Sequence, residues 1–109
     1  MEDNNLLTLT GMQLVMAGGN ARELIRKAMM SVSQKNIEEA KELLKKADEE
    51  LLKGHREQTK VLQLECSGEP QGYNVLFCHG MDTLMTVKSE YQVAEYLVMF
   101  METLLNEKQ

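Results

Sequence analysis

The chain has 109 residues, 43% of them hydrophobic, which suits one folded domain spanning residues 1–109 and excludes intrinsic disorder. The net charge is -5, with both signs interleaved and no Lys/Arg cluster, so nucleic acid and anionic lipid are poor partners and a basic or neutral protein surface is a better one. No apolar run reaches membrane-spanning length, and the acidic start Met1-Glu2-Asp3-Asn4-Asn5 is unlike a signal peptide, so the expected place of action is the cytoplasm, without membrane insertion.

A single proline favours long uninterrupted helices, and nine methionines suit irregular gaps between helices and adaptable interfaces. Residues 1 to about 9 read as a polar lead-in. From Thr10, the residues Met12, Val15, Met16, Gly19, Ile25, Ala28, Met29 and Val32 fall near spacings of three and four, which predicts a first helix. Gly18 and Gly19 lie inside it, at a cost on the order of 1 kcal/mol each relative to alanine. Such glycines mark a kink, a close helix–helix approach, or room for a partner's backbone or a phosphoryl group.

Ser33-Gln34-Lys35-Asn36 interrupts the stripe, and Asn36 is an expected N-cap with Glu38 and Glu39 in the first turn after it. A second helix is predicted from Ile37 to about Leu64, with an inner stripe of Ile37, Ala40, Leu44, Ala47, Leu51, His55, Gln58 and Leu62. Its other face is a solvated charge run, with Glu42–Lys46 and Glu49–Lys53 at the favourable i,i+4 order. His55 and Gln58 continue an apolar stripe with polar groups. Either they are satisfied by hydrogen bonds inside the bundle or at an interface, or they line a site.

Gly68-Glu69-Pro70-Gln71-Gly72 is the clear break in the sequence, inside a loop from Glu65 to about Tyr73. Cys66 and Cys78 flank it. In the cytoplasm both are expected as free thiols. A third helix starts somewhere in residues 74–80 and runs to about residue 105. Leu84, Val87, Tyr91, Ala94, Val98, Met101 and Leu105 alternate three and four apart, a heptad seam. Met85, Val93, Leu97, Phe100 and Leu104 form a second stripe beside it. An arc this wide needs more apolar partners than two sister helices provide. The expectation is an all-α, antiparallel three-helix bundle whose last helix also packs against copies of itself.

The third helix opens on His79-Gly80-Met81-Asp82-Thr83-Leu84-Met85-Thr86. His79 and Asp82 are one helical turn apart on one face. Three readings are open for His79. Its neutral imidazole could be a nucleophile that takes up a transferred group, most naturally phosphoryl. With Asp82 it could ligate a metal, although two ligands are too few without further chains or His55. It could also be a structural histidine near a helix start, with Asp82 favoured there by the dipole. Cys78 suggests a thiol nucleophile, but adjacent helical residues do not face each other. If copies of the third helix met on a symmetry axis, one Asp82 per chain would converge there and call for a cation or proton between the carboxylates.

Taken together, these stretches resemble the lactose/cellobiose-specific IIA family of the bacterial phosphoenolpyruvate-dependent sugar phosphotransferase system. The resemblance runs from about Gly11 to Leu105. Val15-Met16-Ala17-Gly18-Gly19-Asn20-Ala21-Arg22 resembles the family's Ala-Gly-x-Ala-(Arg/Lys) stretch. Gly54-His55-Arg56-Glu57-Gln58-Thr59 resembles its Ala-His-x-x-Gln-Thr pattern, with Gly54 for alanine. The opening of the third helix resembles its His-Ala-Gln-Asp-His-Leu-Met-Thr signature, with Gly80 for alanine, Met81 for glutamine and Thr83 for the second histidine.

The resemblance implies a homotrimer of three-helix chains, a nine-helix bundle. His79 matches the family's phosphorylated histidine, which accepts a phosphoryl group from the phosphocarrier protein HPr. It passes the group to a cysteine of the cognate IIB protein during uptake of a disaccharide of the cellobiose, lactose or chitobiose type through the membrane component IIC. Asp82 matches the aspartate on the trimer axis, associated with a divalent cation, Mg²⁺ being the first choice. Gly80 is expected to loosen the helix start, and Met81 and Thr83 to remove polar groups beside the site. A rival expectation is a non-catalytic helical trimer serving as an interaction or regulatory module, which the heptad seam and the missing glutamine and histidine motivate.

Overall fold

The structure, a computed structural model, describes residues 5–107. It consists of α1 (Asn5–Ser33), α2 (Ile37–Cys66) and α3 (Val75–Glu107), with no strand among the described residues. The lead-in expected up to about residue 9 is helical from Asn5. Leu7 is only 1% exposed and anchors this extra turn in the core, which a polar-looking local sequence conceals.

The two breaks are built the same way. At the end of α1, the Asn36 N–H donates to the Ser31 carbonyl (2.8 Å) and the Lys35 N–H to that of Val32 (2.8 Å). This is the Schellman closure, and Lys35 takes the left-handed position at φ 65°. At the end of α2, the Glu69 N–H reaches the Leu64 carbonyl (3.0 Å) and the Gly68 N–H that of Glu65 (3.2 Å), with Gly68 at φ 92°. Gly68 fits because a residue without Cβ adopts that conformation at little cost. Asn36 occupies the N-cap position of α2, but its side chain does not cap. It donates instead to Glu39 Oε2 at 2.7 Å.

The chain runs up, down and up. Gly11 and Gly18 of α1 lie against Leu76–Phe77 and Thr83 of α3, and Arg22 grips Glu90 through two 2.9 Å hydrogen bonds, so α1 and α3 are parallel. Asn20 meets Glu50, while Lys41 meets Glu102 at 2.7 Å and Gly54 meets Leu84, so α2 is antiparallel to both. These ion pairs are exposed, and each contributes at most about 1 kcal/mol. The molecule is a rod 61 Å long and about 21 by 16 Å across.

The core follows the expected phase on α3 and in the first half of α2. Leu84, Val87, Ala94 and Val98 are buried, with Tyr91 and Met101 partly so, and they meet Ala40, Leu44, Ala47 and Leu51. Two stripes need correction. On α1 the inner face is Leu7, Leu14, Ala17, Gly18, Ala21, Ile25, Ala28 and Val32, whereas Met12, Met16 and Gly19 lie outside. Close helix contact favours small residues inside, so the large methionines do not mark the core. On α2 the inner positions after Leu51 are Gly54 and Val61. His55 and Leu62 are exposed and Gln58 is half-buried. A step of three from Leu51 keeps the face turned inward, and the four-residue step to His55 does not. The surface pairing also differs, since Lys53 bonds Glu50 (2.7 Å) rather than Glu49.

The second stripe of α3 is open to solvent. Met85, Val93, Leu97 and Phe100 are about half exposed or more, and Tyr96 and Met99 widen the apolar surface. Neither α1 nor α2 covers it.

Candidate functional site around His79

The first turns of α3 are held from both ends. The Asn74 Oδ1 accepts a hydrogen bond from the Phe77 N–H (2.9 Å), the geometry of an N-cap, and the Asn74 carbonyl accepts from the Cys78 N–H (3.1 Å). The Asn74 Nδ2 donates to Thr8 Oγ1 on α1 at 3.1 Å. Two turns on, α1 and α3 touch through backbone. A Cβ on Gly11 would lie 2.8 Å from the Leu76 carbonyl and the Phe77 nitrogen, and one on Gly80 would lie 2.8 Å from the Gly11 carbonyl oxygen. Gly80 therefore does not loosen the helix start. It is buried and lets the helices close.

His79, next to Gly80, is exposed on the second turn of α3. It lies on the flank towards α1, because Thr83, four residues later on the same face, sets its methyl group against Gly18. The imidazole is thus open to a reactant from solvent while its backbone is fixed on two packed helices. A neutral ring nitrogen in such a position can attack an electrophile without any movement of the scaffold.

Asp82 is exposed and lies further round α3. With Ser89 and Tyr96, at seven-residue intervals, it occupies the side opposite the buried Gly80, Val87 and Ala94. That side is the open apolar face. Among the described residues of one chain, no three His, Cys, Asp or Glu side chains gather as a metal-holding cluster. One carboxylate is too few for a hard divalent cation, so a single chain does not by itself fit such an ion.

His55 and Gln58 are not buried in the bundle. They edge a groove of about 580 Å³ between α2 and α3, with Leu51, Leu84 and Met85 among its apolar walls and Lys88 at its rim. It lies on the flank of α3 that faces α2, away from His79. Within one chain His79 and Asp82 thus lie one turn apart on different flanks of α3, and the other polar pair lies apart from both. Cys78 is half-buried, Cys66 is exposed, and both are free thiols. The sequence reading missed Asn74 and Thr8. The signal available was an asparagine three residues before the buried Phe77.

Three helices, the first and last parallel and the second antiparallel to both, with an exposed histidine near the start of the last, define a small all-helical bundle. The lactose/cellobiose-specific IIA subunit family of the phosphotransferase system matches residues 9–102. A lichenan-specific phosphotransferase enzyme IIA component of Bacillus subtilis is 30% identical over 96 residues, 88% of this chain and 87% of that protein. A lactose-specific EIIA component of Lactococcus lactis is 32% identical over 92 residues, 84% of this chain and 88% of that protein. The crystal structure of a cellobiose-specific enzyme IIA from Bacillus anthracis superposes with a TM-score of 0.85 at 29% identity, covering 92% of each chain. The chain belongs to the lactose/cellobiose-specific IIA family. It is a phosphotransferase component of the sugar-uptake system, and the rival reading, a non-catalytic interaction or regulatory module, is not favoured. No helix among the described residues is long and apolar enough to cross a membrane.

Proposed function

We propose that His79 carries the phosphoryl group. The observation that supports this is an exposed imidazole at the position of the family's signature histidine, on a helix start pinned to α1. In the forward step a neutral ring nitrogen attacks the phosphorus of phospho-HPr in line. The new N–P bond forms as the bond to the donor breaks, and the negative charge stays on the three phosphoryl oxygens. In the second step the thiolate of a IIB cysteine attacks the same phosphorus, and His79 leaves with its electron pair. Both partners must reach one imidazole in turn, so each docks briefly through a small contact with an apolar centre and polar rim. The end product is a phosphorylated disaccharide of the cellobiose, lactose or chitobiose type, brought in through IIC, with this chain acting in the cytoplasm.

The open face of α3 supports a homotrimer in which nine helices form one bundle. An arc containing Met85, Val93, Tyr96 and Phe100 stabilises a chain only when another apolar surface covers it. Three Asp82 carboxylates would then meet on the axis, where a divalent cation, Mg²⁺ first, would neutralise their repulsion.

The test is intact mass after incubation with enzyme I, HPr, phosphoenolpyruvate and Mg²⁺. One phosphate per chain is expected, acid-labile and absent from His79→Ala. A folded parent that gains no phosphate, or a His79→Ala variant labelled as well as the parent, would sink the reading.

A further inference from the structure

We propose that Asn74, through Thr8, is a positioning residue for His79, setting the rotation of α3 against α1; this rests on His79 being the phosphoryl acceptor. The contact that brings the two helices together is Gly11 against Leu76–Phe77 and Gly80 against Gly11. Glycine surfaces carry no side-chain ridges. They fix how near the helices come, but interlock weakly against turning or sliding. His79 sits beside that smooth contact. Side chains reach roughly 5–6 Å from a helix axis, so a turn of about 10° moves an imidazole nitrogen by about 1 Å. A displacement of that size is enough to slow an in-line transfer strongly.

A directional bond is what the glycine contact lacks; Arg22 and Glu90 form one three turns beyond His79, and Asn74 supplies the one at the His79 end. The Phe77 N–H can only donate, so the carboxamide oxygen must face it and the NH₂ is left for Thr8 Oγ1. The same side chain thereby fixes where α3 begins and ties that start to one residue of α1. His79 lies five residues on, along a continuous helix. Thr8 precedes the region matched by the family, residues 9–102, so the tie reaches outside the matched segment.

The experiment uses Thr8→Val, which keeps shape but removes the acceptor, and Asn74→Ser, which keeps an N-cap oxygen but is too short to cross to α1. Initial rates of phosphoryl uptake are measured against phospho-HPr concentration, with thermal unfolding alongside. Both variants are expected to lose about fivefold in kcat, with KM for phospho-HPr and Tm close to the parent's. An unchanged kcat, or a loss in step with a lowered Tm, overturns the proposal. Ring-proton NMR of the unphosphorylated chain gives a second reading. Thr8→Val should shift the His79 signals and leave those of His55 in place; no shift at His79 also overturns it. If the parent itself takes no phosphate, the carrier reading of His79 fails, and the positioning by Asn74 is then decided by the NMR comparison alone.

Discussion

Gly80 lies against Gly11 so closely that a methyl group on Gly80 would meet the Gly11 carbonyl oxygen and the Leu14 Cβ, each at 2.8 Å. Backbone cannot move aside as a side chain can. Gly80→Ala gains about 1 kcal/mol in helix propensity and loses about 1–3 kcal/mol to overpacking. The expected outcome is a net loss of up to about 2 kcal/mol in urea unfolding. Gly54→Ala is the contrast. Its new methyl group meets Leu84 Cδ1, the end of a flexible side chain, at 2.8 Å and Ala17 Cβ at 3.1 Å, both side-chain atoms rather than backbone, so stability should stay within about 1 kcal/mol of the parent.

The apolar face of α3 makes a separate prediction. Phe100 is 62% exposed in the single chain, so Phe100→Glu should leave helix content intact. In a trimer it would place three carboxylates in an apolar seam. Light scattering should report a folded 12.4 kDa monomer where the parent is larger. An unchanged trimer would place the self-association face elsewhere.

Asp82→Leu tests the axis directly. It should keep or strengthen the trimer and abolish any response of its stability to EDTA or added Mg²⁺. A monomeric Asp82→Leu chain would contradict the axial position.

Thr83 stands where the family signature has its second histidine, with its methyl group against Gly18. Thr83→His, turned towards solvent beside His79, should raise the initial rate of phosphoryl uptake severalfold by adding a donor for the transferred oxygens. Met81→Gln is a poorer reversion, because Met81 packs against the core and a buried amide there should cost about 1 kcal/mol or more.

Tyr91 provides a pH signature. Its phenol is pushed up to about 12 by burial first and then by the nearby Asp48 and Glu95 carboxylates. The folded chain thus holds this proton more tightly than the unfolded one, whose tyrosines lose theirs near pH 10. The resulting stability is complete below pH 10 and is lost as the pH climbs towards 12. Because solvent reaches the ring, the expected loss is about 1 kcal/mol. Denaturation curves at pH 9 and 11.5 should differ less for Tyr91→Phe than for the parent, and absorbance titration should show one late-ionising tyrosine only in the parent.

The parts of the fold that were legible are those where burial and hydrophobicity agree. Leu44, Ala47 and Leu51 of α2 and Leu84, Val87 and Val98 of α3 are large or alanine side chains at clean helical spacing, and they are the core. On α1 the two signals separate. Tight crossing with α3 selects Gly11, Gly18 and Ala21 for the interior, and Met12 and Met16 take the outside, so a reading by hydrophobicity turns the helix the wrong way. That His79 and Asp82 occupy neighbouring turns of one helix was legible because the two positions are only three residues apart. The Asn74–Thr8 bond joins residues 66 apart in sequence and appears only when α1 and α3 are side by side. His55 continues the inner stripe by a four-residue step from Leu51 that in the fold turns outward, and the groove it edges belongs to the surface of two helices rather than to either sequence.

The parallel course of α1 and α3 gathers the His79 imidazole, Thr8 and Asn74 towards one tip of the rod. From His79 to Glu107, α3 rises about 40 Å. The tight turn at Lys35 and the end of α3 occupy the opposite tip. A dye, affinity handle or surface tether attached at that far tip would leave the His79 tip unencumbered. Chains immobilised there would stand on end with their histidines facing the flow, ready for real-time measurement of how briefly each phosphorylated visitor stays.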